Sequence, residues 1–265
     1  MGIGEKLFRS ELSRMVQDRN LVPFIGAGMS QGAGLPGWYG LLQPLADEIG
    51  YALPPREYVN GEALIEAAQA YVNQCGLHRL TVVLKERLDT TDKKPSMAHE
   101  ALAALPVSMV MTANYDDLLE RAFRQAGKRV HLVVRDADIP FMKQGPEDVS
   151  IVKLYGDLSM PETLVLARQQ YERFFLDRPL LVSLLKTELS RADFLYLGWS
   201  HSDPHFGQVF GELLQQLNGM NRRGLALMLG LGDAQEQELA RKNLAVMSLP
   251  GVDPNREIAD LLLGC

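Results

Sequence analysis

Cysteine is nearly absent from this chain: of 265 residues, only Cys75 and Cys265 carry a thiol. Two thiols so far apart build no disulfide framework, and a four-cysteine zinc site is impossible within one chain. Basic residues are in short supply as well. Lys and Arg number 27 against 33 Asp and Glu, the net charge is −6, and no local basic run offsets it. The electrostatic footprint of a nucleic-acid binder is therefore missing, and no direct nucleic-acid partner is expected. No apolar stretch reaches membrane-spanning length, so no membrane association is expected. The opening residues, MGIGEKLFRSEL, lack the apolar core of a signal peptide, which points to a cytoplasmic location. What remains, 46% apolar and 23% charged residues, is the composition of a soluble globular protein. The length fits a single domain over residues 1–265 that carries a substantial insertion.

The richest stretch is LVPFIGAGMSQGAGLPGW, from Leu21 to Trp38. Five apolar residues read as a buried strand, which then empties into Gly26, Ala27 and Gly28, with Gly32 and Gly34 following. Such a turn lets the backbone bend sharply and come close to a ligand. If a helix follows, its unpaired N–H groups favour a phosphate. An ordinary strand-to-helix turn reads the same way. The spacing is not GxGxxG, because Gln31 stands where the third glycine belongs. On the ligand reading, a bulky side chain at Gly28 removes binding and leaves the fold intact.

Residues 3–19 have apolar residues at helical spacing. From 39 to 94 no convincing strand appears. Three helices are expected there, over 41–49, 62–74 and 77–88, forming an all-helical insertion after the first strand. Helix and strand then alternate. Strands are expected at 107–112, 130–134, 151–155, 194–198, 225–229 and 244–248, with a further short one at 164–166. Continuous apolar strands between helices predict an α/β fold with a doubly wound parallel sheet. Ligands of such sheets sit beyond the carboxyl ends of the strands.

Four strand ends carry unusual residues. The first is the glycine turn. The second is Thr112-Ala113-Asn114-Tyr115-Asp116, where Asn114 offers amide donors and an acceptor to a ligand. Asp116 or Asp117 also suits the cap of the next helix, and Asp117 with Glu120 has capping-box spacing. The third is Lys153-Leu154-Tyr155-Gly156-Asp157, with Tyr155 ending its strand. The fourth is Gly198-Trp199-Ser200-His201-Ser202-Asp203-Pro204. Asp203 and Pro204 have the grammar of a helix start, which leaves Ser200 free to touch a ligand. This is not a GxSxG nucleophile elbow. His201 and His205 have a proline between them and no third ligand, and His99, with apolar neighbours, reads as structural.

Taken together, GAGMSQGAGLPGW, TANYDDLLE, KLYGDL and GWSHSDP, in this order, resemble the SIR2-like branch of the sirtuin superfamily, whose bacterial members include antiphage NAD-consuming effectors. The resemblance spans about residues 20–250. It implies a Rossmann-like NAD-binding domain with a helical subdomain over the cleft. By that resemblance Gly26, Ala27, Gly28 and Ser30 hold the pyrophosphate. Asn114 and Asp116 sit near the nicotinamide ribose, Gly198 and Ser200 line the adenosine side, and Thr112 and Asp203 complete the cofactor-facing set. Three departures matter. The deacylases of the superfamily carry a four-cysteine zinc ribbon, and no zinc is expected here. Their first motif continues with an aspartate, an aromatic and an arginine, whereas here Leu35-Pro36 is followed by Gly37-Trp38. Both favour NAD hydrolysis over deacylation. Third, the family's catalytic histidine is Tyr155. Free tyrosine titrates about 3.5 units above histidine, which is roughly 5 kcal/mol against its acting as a base.

The resemblance thus implies an NAD glycohydrolase that releases nicotinamide and ADP-ribose, with Asn114 and Tyr155 as its catalytic residues. The alternative is a module that holds NAD or ADP-ribose without turnover, as a sensor or assembly subunit, and a deacylase comes third. Self-association, or a partner effector or sensor protein, is expected. The helix over 3–19 serves either as the interface or as packing for its own domain.

Overall fold

The computed structural model describes residues 3–143, 145–199, 203–218, 222–229, 233–249 and 251–264. The first helix, α1 (Ile3–Gln17), stops where Arg19 takes a left-handed φ of 54°. The apolar run that follows is strand β1 (Leu21–Ile25), and the glycine turn opens directly into a short helix, α2 (Ala27–Gln31). Three helices follow: α3 (Trp38–Glu48), α4 (Gly61–Cys75) and α5 (Leu77–Arg87). Asn60 starts α4 by accepting the Ala63 N–H at 2.9 Å.

The alternating half begins with α6 (Met97–Ala104), β2 (Met109–Thr112), α7 (Leu118–Gln125), β3 (Arg129–Val133) and β4 (Asp148–Lys153). It continues with α8 (Arg168–Asp177), α9 (Pro179–Arg191), β5 (Asp193–Leu197) and α10 (Pro204–Gln216). The last elements are β6 (Gly224–Leu229), α11 (Asp233–Arg241), β7 (Leu244–Leu249) and α12 (Pro254–Leu263). The strands form one seven-stranded sheet in the order β3-β4-β2-β1-β5-β6-β7, parallel at every pairing.

Two expectations need correction. Residues 164–166 are not a strand: they follow a short 3-10 turn, Pro161–Thr163, and Leu164 and Leu166 face the helical insertion instead. Strand β4 starts three residues earlier than expected and ends at Lys153, so Tyr155 lies in the turn beyond it. A charged residue at each end of DVSIVK hid the start of that strand, although both are buried.

The pleat sends alternate residues to opposite faces. Phe24, Met111, Val152 and Tyr196 pack under α8, α9 and α10, while Ile25, Val110, Ile151 and Leu197 pack on α1, α6, α7 and α12. Phe24 anchors the first layer, its ring 4.7 Å from that of Phe206 and 5.8 Å from that of Tyr196. Each such fully buried side chain stabilises the fold by about 1.5–3 kcal/mol. The insertion has its own core of Leu42, Leu45, Leu64, Tyr71 and Leu84. Leu118, Leu164 and Leu166 join it from the sheet side and hold the helices over the strand ends.

Candidate functional site

In the strand order, chain direction along the sheet reverses at β1, which lies between β2 and β5. Two loops part there and leave a crevice. The crevice is a cavity of about 640 Å³ with Gly26, Asn114, Tyr155, Gly198 and Asp203 on the sheet side and Trp38, Tyr39 and Arg56 from the insertion. The size is that of a small-molecule site, roughly 300–1,000 Å³.

The glycines owe their place first to the protein itself. A Cβ on Gly26 would lie 2.6 Å from the Gly198 carbonyl oxygen, and one on Gly28 would lie 2.8 Å from it. Gly198 has φ +62, and a Cβ there would meet the Met29 nitrogen at 2.3 Å. The β1–α2 and β5–α10 turns thus pack backbone on backbone. The Gly28 N–H is already committed to the Gly198 carbonyl at 2.9 Å. A bulky residue at 28 is therefore expected to disturb this contact as well as to block a ligand.

Beside this turn lies a saturated polar network. Thr112 is wholly buried, and its hydroxyl donates to the Ile25 carbonyl at 2.9 Å and accepts from the Asn114 N–H at 3.0 Å. The Asn114 amide donates to the Gly26 carbonyl at 3.2 Å and to the Ser30 hydroxyl at 3.1 Å. Ser30 passes its own proton to Asp116 at 2.9 Å, and the other Asp116 oxygen accepts the Leu118 N–H at 3.1 Å. A carbonyl only accepts, so the NH2 of Asn114 must face Gly26, and that fixes the orientation of the whole amide. Its oxygen has no partner among the described residues. Asp116 thus satisfies the first N–H of α7, while Asp117 holds the N-cap position without a side-chain cap bond. Asp117 takes the Thr90 hydroxyl at 2.7 Å, and the Asp117–Glu120 capping box does not form.

Glu120 turns inward to Lys153, which sequence reading passed over. The Lys153 ammonium is fully buried and donates to Glu120 at 2.9 Å, to Asp157 at 2.5 Å and to the carbonyls of Tyr115 at 3.2 Å and Asp116 at 2.6 Å. Burial works against its charge, but the two carboxylates outweigh that and raise its pKa. One cation thereby clamps the Asn114 loop to β4. The only signal in the sequence was a lysine closing an apolar strand.

Two residues beyond Lys153, the Tyr155 hydroxyl donates to Asp203 Oδ1 at 2.6 Å. The phenol sits among aromatic rings, 5.5 Å from Tyr171 and 5.4 Å from Phe174. Burial raises its pKa well above the usual value, and the Asp203 charge adds to this, so Tyr155 holds its proton at neutral pH. Asp203 also accepts the Phe206 N–H at 3.1 Å and caps α10, with Pro204 in the first turn, as its sequence implied. Arg178 braces the Tyr155 turn, donating to the Leu154 carbonyl at 2.6 Å and to that of Thr163.

Ala27, at the head of α2, lines the cavity beside the two glycines. Ser200 and His201 lie outside the described residues. His205 is buried against Phe174, with ring centroids 4.7 Å apart, and burial lowers its pKa to about 4. His99 is structural: its Nδ1 accepts the Ser96 N–H at 3.2 Å at the start of α6. Arg56, the single Lys or Arg among the described residues lining the cavity, went unnoticed because Pro54-Pro55 read only as punctuation.

A parallel sheet with a glycine turn and an oriented polar network at its switch point is the architecture of a nucleotide-binding α/β domain. Residues 108–247 match the family model described as SIR2-like domain. The chain belongs to this SIR2-like family. It is 31% identical over 79% of its length to "NAD(+) hydrolase ThsA" of Acinetobacter baumannii (strain 532279), of which the match covers 42%. To the protein of the same name from Cytobacillus dafuensis it is 27% identical over 80% of its length, again matching 42% of that relative. "Defense-associated sirtuin 2" of Bacillus subtilis is 24% identical over 73% of this chain and 19% of its own length. The chain thus matches less than half the length of these relatives. Among the described residues no helix is long and apolar enough to cross a membrane.

Proposed function

We propose that this domain binds NAD and hydrolyses it to nicotinamide and ADP-ribose, in the cytoplasm and in defence against phage. The observation that carries this reading is the locked Asn114 amide, whose free oxygen stands at the switch-point cavity. Breaking the N-glycosidic bond of NAD depends largely on holding the ribose and the attacking water in place, which such an amide does. In this reading Gly26, Ala27 and Gly28 border the pyrophosphate, and Arg56 supplies the positive charge that the glycine turn lacks. Ser30 and Thr112 hold Asn114, while Asp116 holds Ser30. Gly198 borders the adenosine, and Tyr155 and Asp203 face the nicotinamide ribose. The names of the hydrolase relatives and of the defence-associated one support the activity and its setting.

A second reading rests on Tyr155 itself. Protonated and bonded to Asp203, it offers no base near neutral pH, which favours a module that binds NAD or ADP-ribose without turnover. Deacylation is the third reading, and the cysteine content disfavours it.

One experiment separates them: purified protein is mixed with NAD, nicotinamide is measured by chromatography, and the mass of the assembly is followed by light scattering. We expect nicotinamide from a self-associated wild type and about 100-fold less from Asn114→Ala. ADP-ribose should bind with no turnover on the second reading. A protein that stays monomeric with NAD and makes no nicotinamide would sink the hydrolase reading.

A further inference from the structure

NAD hydrolysis releases one proton, and the group that takes it is not evident from the residue that stands in the family's histidine position. Tyr155 keeps its own proton. Yet its hydroxyl is already hydrogen-bonded to a carboxylate, 48 positions away in sequence and lining the same cavity. A phenol that donates one hydrogen bond still has lone pairs to accept another.

Resting on the hydrolase reading, we propose that Tyr155 and Asp203 together replace the histidine: the phenol accepts a proton from the attacking water while passing its own to Asp203. The step balances. The C1′–N bond breaks and its electron pair leaves with neutral nicotinamide. The water oxygen forms the new bond to C1′, and its proton goes to the Tyr155 oxygen. The former phenol proton ends on Asp203 Oδ1, from which solvent later removes it.

The geometry suits this. Asp203 sits at the N-terminus of α10, a 13-residue helix, with the Phe206 N–H on the same oxygen that the phenol touches. Those donors favour the anion that receives the proton, although burial outweighs them and raises the Asp203 pKa. Around Asp203 are Tyr115 from the β2 loop, Tyr171 from α8 and His205 from α10 itself, while Arg178, at the start of α9, interacts with Tyr115 and Tyr155 instead. His205 is neutral at pH 7, and the Arg178 guanidinium is tied to two carbonyls, so among the described residues neither competes with Tyr155 for Asp203. Burial makes Asp203 a stronger proton acceptor than an exposed carboxylate.

The test is steady-state NAD cleavage by wild type, Tyr155→Phe, Asp203→Asn and Asp203→Ser across pH. Asparagine and serine both keep the helix cap and remove the base. We expect kcat to fall about 100-fold or more in each variant, with KM within threefold, and no further loss in Tyr155→Phe/Asp203→Asn. Wild-type kcat/KM should fall as pH drops through the raised Asp203 pKa, and this acid limb should vanish in Asp203→Asn. Folding of each variant is checked by its melting temperature. An active wild type whose Asp203→Asn and Asp203→Ser forms keep its kcat and its acid limb would overturn the relay alone. A wild type that cleaves no NAD overturns the hydrolase reading and the relay with it.

Discussion

Behind one wall of the cleft a buried cation, Lys153, is held by two carboxylates and two carbonyls, and it fixes the loop that carries Asn114. On the facing wall a buried carboxylate, Asp203, has no cation beside it among the described residues, only a phenol and backbone N–H groups at a helix start. The first arrangement is fully paired, and its work is to hold geometry. The second leaves a charge that burial penalises, held among aromatic rings, where a small change in surroundings decides whether the proton is on or off. A paired cluster makes a frame, and an unpaired carboxylate makes a titratable group. The contrast can be broken from either side.

The largest effect is expected from Lys153→Met. Removing the cation leaves Glu120 and Asp157 facing each other without compensation, which costs about 3–5 kcal/mol. Urea unfolding at pH 7 should show a loss of that size. Because the pKa of Lys153 is raised, its contribution is whole at neutral pH. In wild type it is lost only in alkali, as pH rises through the folded value. Retained stability in Lys153→Met would mean that the loop is held by something other than this cluster.

Between the two walls lies the contact of Gly28 with Gly198, where no charge is involved. Gly28→Ala places a Cβ 2.8 Å from a backbone oxygen that cannot rotate away. Overpacking of this kind costs about 1–3 kcal/mol, so the unfolding midpoint should drop before any ligand is added. An unchanged midpoint would show that the two turns have room to part, and would return the glycines to a purely ligand-facing role.

Much of this was legible in the chain order. The seven strands, the helical insertion and the four strand ends follow from apolar runs, glycine and helix-start grammar, because those signals are local. Asp203 as a cap was readable for the same reason. The links between distant parts of the chain were not. Nothing near Gly28 announces Gly198, nothing near Tyr155 announces Asp203, and Lys153 meets Glu120 only because β4 lies beside β2. Such pairs are set by which strands become neighbours. The glycine turn illustrates the cost: its residues were read as open to a ligand, while their first neighbour is another part of the same backbone. Asp117 and Glu120 show the converse, since good local spacing for a capping box lost to a buried lysine.

The smallest effect on stability sharpens the comparison most. Asp203→Asn keeps the oxygen that accepts from Tyr155 and Phe206 and keeps a good helix cap, so it removes only the charge. Burial raises the folded pKa of Asp203, which means that the folded state binds its proton more tightly than the unfolded chain does. For such a group stability falls as pH rises from the unfolded carboxylate value, near 4, through the folded value. Above the unfolded carboxylate value wild type therefore loses stability through Asp203, and Asp203→Asn does not. The variant should match or exceed wild type in unfolding free energy at pH 7, by about 1 kcal/mol or less, and the difference should shrink towards pH 4. Lys153→Met should behave oppositely, gaining stability as acid neutralises the carboxylates it leaves unpaired. If Asp203→Asn instead loses several kcal/mol at pH 7, the Asp203 charge is itself part of the frame, and the two walls of the cleft differ less than their partners imply.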